Sequence, residues 1–415
     1  MLHDCAVPAR HSSHLWARSA TAVRESAGDA TCDRDAARQS RFGRNSGDPG
    51  MTTLLRLLAD DLTGALDSAA AFAAPTAPVP IRWEPVAADA GSLALDSGTR
   101  EASADAARDR VRRLAAMLRG REIDVAFKKI DSLLRGNEAV EIDTLLRELA
   151  PTHSILAPAF PAQGRVTRDG RQLHCVADGR WQPVSTDLVR ELSALGHRVH
   201  RARPGDPLPS GLSVWDAESD EGLDAIVAVA DGGQRPLWIG SGGLAAALAR
   251  CFGRVYRIAT PLPCPILGLF GSDHPVMREQ LADVADRHET LGHAADTQRI
   301  AGRLRGEGVL MLSVAVATGS TRDAAARRIA GTFAALVRRL DPPGTLVASG
   351  GETLRGLCRA LEATQLDAVG EVMPGIPCAI LRGGRWDGTV VVSKSGAFGA
   401  RDLLRRLLRP QEPEA

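Results

Sequence analysis

The chain has 415 residues and a formal net charge of +1 at pH 7, with 44% hydrophobic and 24% charged residues. This length suits about two domains with sizeable cores, and the balanced charge gives no indication of a nucleic-acid or membrane-surface partner. No apolar run of roughly 18 residues occurs, which argues against a membrane-spanning helix. The seven cysteines lack CxxC spacing, which is typical of unpaired thiols in a reducing compartment. We therefore predict a cytoplasmic protein.

Residues 1–50 differ in composition from the rest of the chain. They are rich in Ser, Arg, Asp and Ala and show no sustained apolar period. They also lack the apolar segment of a secretory signal, and a second methionine, Met51, immediately precedes the first predicted strand. We predict that residues 1–50 are a disordered or non-native extension that carries no chemistry.

The stretch 54–73 reads as a buried strand, an acidic turn and a helix. Its apolar run ends at Ala59, Asp60 and Asp61 follow, and Thr63-Gly64 can open a helix rich in small residues. Ligands of open α/β sheets collect at the carboxyl ends of strands, where adjacent carboxylates must meet solvent, a cation or a polar ligand. The alternative is that the aspartates only cap the helix, and this stretch alone leaves both interpretations open.

The rest of the first half alternates strands and helices. We predict strands at 92–100, 123–130, 154–158, 212–216 and 236–240, helices at 104–118, 138–149 and 243–250, and a proline-rich connection over 75–85. The proline segment 261–265 reads as a linker, so we divide the chain into domains at 51–260 and 261–415. The alternation favours an α/β fold with two domains, each a mainly parallel sheet flanked by helices, and a site in the cleft between them.

The second half starts the alternation again. We predict strands at 266–272 and 308–316, strand–turn–helix units at 345–354 and 389–399, and helices at 274–288, 324–340 and 401–408. Three of its turns carry glycine, and they contain Ser272 and His274, then Gly350, Gly351, Glu352 and Thr353, then Lys394 and Gly396. Such turns expose main-chain N–H groups at the positive end of a helix, which suits phosphate.

Neither GxGxxG nor GxxxxGK[ST] occurs, which argues against a dinucleotide fold, a nicotinamide dehydrogenase or a P-loop protein. Two residues of the turns have alternative roles. Glu352 could orient a metal-bound water or a ribose hydroxyl, or only favour the helix dipole. His274 could contact phosphate, or only cap the helix that starts at Pro275.

Polar clusters follow four predicted strands of the first half. They comprise Asp60 and Asp61; Asp96, Ser97 and Arg100; Lys128, Lys129, Asp131, Ser132, Arg135 and Asn137; and Gln163, Arg165 and Asp169. Arginine can hold a carboxylate through two hydrogen bonds, and aspartate near a hydroxyl can act as a base in phosphoryl transfer. Any one of these residues could instead form a surface salt bridge or a cap. Lysine occurs only at 128, 129 and 394 among 51 basic residues, which indicates positions that need a compact ammonium group.

Ordered blocks in both halves resemble the four-carbon acid sugar kinases. The blocks include ADDLTGALDSA (59–69), LALDSGTR (93–100), FKKIDSLLRGN (127–137), APAFPAQGRVTRDGR (157–171), GSDHPV (271–276), SGGETLRG (349–356) and SKSGAFG (393–399). The resemblance implies ATP- and Mg²⁺-dependent phosphorylation of a small sugar acid such as erythronate, threonate or 3-oxo-tetronate. It also implies an N-terminal substrate domain and a C-terminal nucleotide domain.

On this resemblance, the sugar-acid pocket is formed by Asp60, Asp61, Arg100, Lys128, Asp131, Arg135 and Asn137. Catalysis would fall to Asp61, Asp131 and Arg135, with the choice of base between the two aspartates open. The three glycine turns, including Lys394, would bind ATP; no metal ligands are assigned, and pairing with a second copy of the chain stays open. The alternative function is a non-catalytic sensor of sugar acids or nucleotides on the same scaffold.

Overall fold

The computed structural model describes residues 53–408, except 85–90, 121, 177–178, 231–232, 253–255, 259–260, 273, 293–295, 318 and 397. The extension predicted over residues 1–50 lies outside this part of the chain. The helices are α1 Leu62–Ala70, α2 Ala104–Leu114, α3 Glu138–Leu149, α4 Leu188–Ala194, α5 Asp220–Ala228, α6 Gly242–Cys251, α7 Pro275–Asp283, α8 Thr297–Glu307, α9 Arg322–Val337, α10 Gly351–Ala360 and α11 Leu403–Leu408.

The strands follow the same chain order. They are β1 Leu55–Ala59, β2 Val79–Arg82, β3 Leu93–Asp96, β4 Val125–Lys129, β5 His153–Ala157, β6 Arg165–Arg168, β7 Arg171–Cys175, β8 Trp181–Pro183, β9 Val199–Ala202, β10 Gly211–Trp215, β11 Leu237–Gly240, β12 Ile266–Phe270, β13 His288–Leu291, β14 Val309–Val314, β15 Thr345–Ser349, β16 Gln365–Met373, β17 Ile376–Arg382 and β18 Val390–Lys394. We call β1–β11 with α1–α6 the first lobe, and β12–β18 with α7–α11 the second lobe.

Fifteen of these strands form one continuous sheet in the order β13-β14-β12-β15-β18-β17-β16-β2-β3-β1-β4-β11-β5-β10-β9. Its two ends are parallel ladders, as expected for buried apolar strands separated by helices. The predicted α/β class with mainly parallel sheets and flanking helices is confirmed. No helix in the described part of the chain has the length and apolar character needed to cross a bilayer.

An antiparallel segment joins the two parallel ladders. Strand β16 pairs with β2, where Leu366 lies opposite Ile81, and the β16–β17 hairpin leads on to β18. The prediction that 75–85 is only a connection is therefore wrong for Val79–Arg82. Three antiparallel pairings make β15 run opposite to β1, and six strand-to-strand steps separate them. A twist of about 20–25° per step accumulates to about 120–150°, which turns the carboxyl ends of both ladders toward one cleft.

Other departures from the predictions include a small separate sheet and the end of one helix. Strands β6, β7 and β8 form a separate antiparallel sheet that was not predicted. In the second lobe, the helix predicted to reach residue 288 ends at Asp283, and His288 begins strand β13 instead. Both departures add short antiparallel or edge structure beside the parallel ladders and leave their order unchanged.

Helix α1 packs against both lobes. It contacts β1 and β3 of its own lobe and also β16, β17 and α10 of the second. Small residues such as Gly64, Ala65 and Ala69 are buried along it and let these elements approach closely. Asp61 caps its first turn, an interaction that typically contributes about 1 kcal/mol. One buried apolar cluster consequently runs through both lobes, while two others lie within single lobes.

Candidate active site

A cleft of about 1550 Å³ lies between the lobes. One wall follows the carboxyl ends of first-lobe strands β1, β3, β4 and β11, and the other follows the turns after β12, β15 and β18. Pockets for a single small molecule usually measure roughly 300–1,000 Å³. The cleft is therefore large enough for two small molecules side by side.

Asp60 and Asp61 share one guanidinium at the end of β1. Arg100 donates from Nε and Nη2 to the two oxygens of Asp60, at 2.6 and 2.9 Å. Its Nη1 lies 2.6 Å from Asp61 Oδ2, while Asp61 Oδ1 accepts from the N–H of Gly64 at 2.8 Å. Asp61 thus caps α1 and also faces the cleft, so the two interpretations from the sequence hold together.

The two carboxylates differ in basicity. Burial raises the pKa of Asp60, but the charges of Arg100 and the two lysines outweigh it and hold this pKa below its usual value. Burial also raises the pKa of Asp61, and the neighbouring charge of Asp60 adds to the increase, so it stays above its usual value. Asp61 is therefore the better proton acceptor of the pair.

The adjacent lysines point to opposite faces of β4, as side chains alternate along a strand. Lys128 is fully buried inside the first lobe, with Nζ 2.6 Å from Glu141 Oε2. Lys129 lines the cleft, and its Nζ donates to the carbonyl of Ile130 at 2.8 Å. The prediction that Lys128 lines the sugar-acid pocket is wrong, because its charge is neutralised within the lobe; Lys129 occupies that place.

Asp131 is held in its charged form. Arg135 donates to both of its oxygens, at 2.6 and 3.0 Å. Burial would raise the pKa of Asp131, but the hydrogen bond from Arg135 and the charges of Arg100, Arg135 and Lys129 lower it to about 2. Such a weak base is poorly suited to accept a proton at neutral pH.

Asn137 does not line the cleft, contrary to the prediction. Its amide donates to the carbonyls of Thr99 and Ala102, at 2.8 and 3.0 Å. These bonds hold the loop that carries Arg100. Asn137 therefore positions Arg100 through the main chain and does not face the cleft itself.

The turn after β15 leads directly into α10. Gly350 has φ +98°, a left-handed conformation that favours glycine, and among the described residues no side chain caps this helix. Glu352 and Thr353 follow in the first helical turn and line the cleft. The open N–H groups and the helix dipole make this turn suitable for an anion.

The turns after β12 and β18 meet beside it. A Cβ atom on Gly396 would lie 2.3 Å from Ser272 Oγ, so only glycine fits there. His274 caps α7 by accepting from the N–H of Val276 at 3.3 Å, which is the structural role foreseen for it. Its side chain also lies at the cleft.

Lys394 ends β18 with its ammonium group almost fully buried at the cleft. The contact found for Nζ in the described residues is to Met277 Sδ at 3.9 Å. Burial lowers the pKa of Lys394 to about 8. A buried cation with an apolar neighbour and no described carboxylate partner is well placed to bind an anion from solution.

The two walls touch at Asp61. A Cβ atom on Gly351 would lie 2.7 Å from Asp61 Oδ2 and 3.0 Å from Thr63 Oγ1. A second contact joins Asp96 at the end of β3 to Arg355 of α10, with an N–O distance of 2.8 Å. Gly98 makes room for this pair, since a Cβ there would overlap the guanidinium of Arg355. The acidic strand ends therefore face the glycine turns.

The site predicted from sequence omitted five ionisable residues of the first-lobe wall: Asp67, Glu101, Arg110, Lys129 and Arg165. Asp67 lies one turn beyond Gly64 on α1, and burial raises its pKa to about 7. Lys129 and Arg165 belong to the polar clusters after β4 and β5 but were not assigned to the pocket. The helical spacing of Asp67 from Asp60 and Gly64 is the signal that could have found it.

Polar residues also line the second-lobe end of the cleft. His288 Nε2 lies 2.9 Å from Ser313 Oγ, and Thr290 Oγ1 lies 3.1 Å from the same oxygen. These side chains sit on β13 and β14, beyond the glycine turns when counted from the first lobe. Val314 and Ile329 add apolar surface beside them.

Comparison with known proteins divides the chain in the same way. Residues 55–199 match a family model described as a sugar-binding N-terminal domain, and residues 267–404 match one described as a nucleotide-binding C-terminal domain. A solved structure from Salmonella typhimurium LT2 is 19% identical with a TM-score of 0.66, covering 87% of this chain and 100% of that chain. This likeness supports the fold.

Two curated relatives extend the match over most of the chain. D-threonate kinase from Bordetella bronchiseptica is 30% identical over 404 residues, which cover 84% of this chain and 95% of the relative. D-threonate kinase from Cupriavidus necator is 33% identical over 410 residues, with the same coverage of 84% and 95%. With both lobes matched in order, this chain belongs to the four-carbon acid sugar kinase family.

Proposed function

We propose that this protein transfers the terminal phosphoryl group of ATP to a hydroxyl of a four-carbon sugar acid such as threonate, erythronate or 3-oxo-tetronate. The observation that carries the proposal is the position of Asp61. Its carboxylate, with a raised pKa, lies directly against the Gly350–Gly351 turn of the other lobe. A proton acceptor is thus next to a phosphate-binding turn, as phosphoryl transfer requires.

The first lobe would bind the acid and the second the nucleotide, with the boundary in the proline segment 261–265. The phosphates would lie on the turns after β12, β15 and β18, with Lys394 as their cation. The nucleoside would extend toward β13 and β14, where His288, Thr290 and Ser313 offer hydrogen bonds beside apolar surface. Strand β13 is three steps from β15, about 14 Å at the usual strand spacing.

Magnesium is compatible with the residues at the nucleotide turn. The described residues contain no cluster of three or more metal-ligating side chains. Mg²⁺ in kinases keeps several waters and binds through one or two carboxylates together with the phosphates, so no such cluster is needed. Glu352, exposed at the start of α10, is the residue that would hold it. The bound ion would neutralise charge on the phosphates.

The remaining side chains have separable tasks in this reaction. Asp61 would orient the acceptor hydroxyl and take its proton at Oδ2. Arg100 keeps Asp60 and Asp61 in position, and Lys129 balances their charge. Lys394 and the N–H groups of the glycine turns would stabilise charge on the transferred phosphoryl group.

The test is ADP release, coupled to an optical assay, with threonate, erythronate and 3-oxo-tetronate, each with and without Mg²⁺. We expect turnover with at least one acid, only when Mg²⁺ is present. Tight binding of acid and ATP without ADP release would instead favour the non-catalytic sensor. A chain with no affinity for adenine nucleotides would refute both functions.

A further inference from the structure

Four arginines of the first lobe line the cleft, and most of them are already engaged: Arg100, Arg110, Arg135 and Arg165. Arg100 donates to both Asp60 and Asp61, and Arg135 forms a two-point pair with Asp131. Arg110 donates to the main-chain carbonyl of Trp83 at 2.7 Å, and its buried Nε has no partner among the described residues, so it also lacks a carboxylate. Of Arg110 and Arg165, Arg165 is the one close to Asp131 and Arg135, and it is the one that we examine for a ligand.

Arg165 has no carboxylate partner among the described residues. Its guanidinium donates to the side-chain oxygen of Gln163, which is neutral. Burial lowers its pKa, and the nearby charge of Arg135 lowers it further while Asp131 opposes the change. Because the charge of Asp131 is already matched by Arg135, the half-buried charge of Arg165 is not compensated within the described chain.

Main-chain hydrogen bonds hold the backbone of Arg165 in place. Its carbonyl accepts from the N–H of Phe160 at 2.8 Å, and its N–H donates to the carbonyl of Phe160 at 3.1 Å. Two residues along β6, Thr167 exchanges a similar pair of bonds with Ala217. Arg165 therefore reaches the cleft from a strand whose backbone is held at both ends.

We propose that Arg165 binds the carboxylate of the sugar acid and so selects acids over neutral polyols. The inference rests on the proposed function and deepens it. The planar guanidinium fits a carboxylate through two parallel hydrogen bonds. Arg165 lies on the first-lobe wall near Asp131 and Arg135, whereas the phosphate-binding turns belong to the other wall. The carboxylate end of the acid therefore lies at β6, and its acceptor hydroxyl lies toward Asp61.

The test compares Arg165→Gln with Arg168→Gln, a control on the same strand. Arg168 is more exposed and pairs with Glu218 at 2.7 Å, away from the cleft wall. We measure the Kd of threonate and of ATP by calorimetry, and kcat/KM for threonate and for the matching four-carbon polyol. Loss of a charge-assisted two-point contact should weaken threonate binding roughly 10- to 150-fold in Arg165→Gln. ATP binding and polyol turnover should not change, and Arg168→Gln should match wild type.

A wild-type Kd for threonate in Arg165→Gln would overturn the inference while leaving the kinase proposal intact. If that variant does not fold, Arg165→Lys carries the test, because it keeps the charge and loses the planar fork. In Arg165→Lys we then expect the affinity for threonate to fall about three- to tenfold, with no change for ATP. An unchanged Kd for threonate refutes the assignment. If the wild-type protein neither binds nor phosphorylates any four-carbon acid, the proposed function itself fails.

Discussion

The two walls of the cleft are built from different chemistry. The first-lobe wall presents charged side chains, and most of them are paired with each other, as Arg100 is with Asp60 and Asp61. The second-lobe wall presents main-chain N–H groups, hydroxyls and one buried ammonium, that of Lys394. The first wall can distinguish and activate a small ligand through charge, whereas the second can hold any phosphate chain.

This difference predicts opposite sensitivities to substitution. On the first wall, a change of charge at constant shape should be the most damaging, because the carboxylates set each other's pKa values. On the second wall, a single added carbon should be damaging, because the turns after β12, β15 and β18 approach their neighbours within van der Waals contact. The four substitutions below test these expectations, from the largest effect to the smallest.

Asp61→Asn should have the largest effect. It keeps the shape and the cap on α1 but removes the proton acceptor, so kcat should fall roughly 10²- to 10⁴-fold. ATP binding should survive, because Asp61 belongs to the other wall. Steady-state kinetics and ATP calorimetry check both points, with the exposed Asp105→Asn as control. Wild-type turnover in Asp61→Asn would exclude it as the base.

The pH profile sharpens this assignment. A base must be deprotonated to act, so activity should rise as the pH increases through the raised pKa of Asp61. If Asp131 were the base, its pKa of about 2 would place this rise in activity at strongly acidic pH. Asp67, with a pKa of about 7, could add a second inflection. Asp67→Asn removes that inflection and leaves the one from Asp61.

Gly351→Ala should have the next largest effect. Its Cβ would lie 2.7 Å from Asp61 Oδ2 and would push the Asp61 carboxylate and the Gly350–Gly351 turn apart. A displacement of about 1 Å can cost on the order of 10²-fold in rate. Gly356→Ala is the matched control, since it lies in the same helix and a Cβ there meets nothing within 4 Å. If kcat and KM were the same in Gly351→Ala and Gly356→Ala, the contact between Gly351 and Asp61 would be contradicted.

Lys394→Met should weaken ATP binding by about tenfold, as expected for one lost charge-assisted contact. Burial lowers the pKa of Lys394 to about 8 in the free protein, and bound phosphate should raise it. ATP affinity should therefore be full below pH 8 and decline as the pH rises above it. Calorimetry across this range checks both effects, with exposed Arg401→Met as control. If ATP affinity declines equally with pH in Lys394→Met, the dependence belongs to another group.

Gly98→Ala should have the smallest effect, on stability. Gly98 has φ +60°, and a Cβ there would overlap the guanidinium of Arg355 and break its contact with Asp96. A left-handed non-glycine residue costs about 1–3 kcal/mol, so the melting temperature should fall by a few degrees. Gly302→Ala, in an open helical position, is the control. An unchanged melting temperature would mean that the Asp96–Arg355 ion pair contributes nothing measurable to stability.

The parallel ladders were predictable because their strands are continuous apolar runs. Strands β1, β12 and β15 are buried at every residue and end in an acidic or glycine turn. The polar residues after β1 and β3 predicted Asp60, Asp61 and Arg100 as site residues, and all three line the cleft. These features depend on neighbours in the chain, so sequence patterns record them well.

The antiparallel elements and the edge strand β13, which is parallel to β14, were missed because their signals are short or depend on distant partners. Strand β2 has four residues and contains a proline, and its reason to be extended is a partner, β16, in the other half of the chain. Strand β13 is a polar edge strand with no apolar run. The pairing of Asp96 with Arg355 likewise joins residues that no local pattern connects.

The lysines show a limit of a different kind. Alternation along β4 predicts that Lys128 and Lys129 point to opposite faces, but it does not say which face meets the cleft. That choice depends on Glu141, whose helix covers the face of Lys128. All three lysines of the chain are nevertheless buried.

The continuous sheet has a consequence for any attempt to study the halves separately. Cutting the chain at the proline segment 261–265 would leave β2 on one fragment and β16 on the other, each with an unpaired row of peptide groups. Exposed edges of this kind pair with other chains. Separately produced fragments should therefore aggregate or recombine with each other, and co-expression of both should recover more material than either alone.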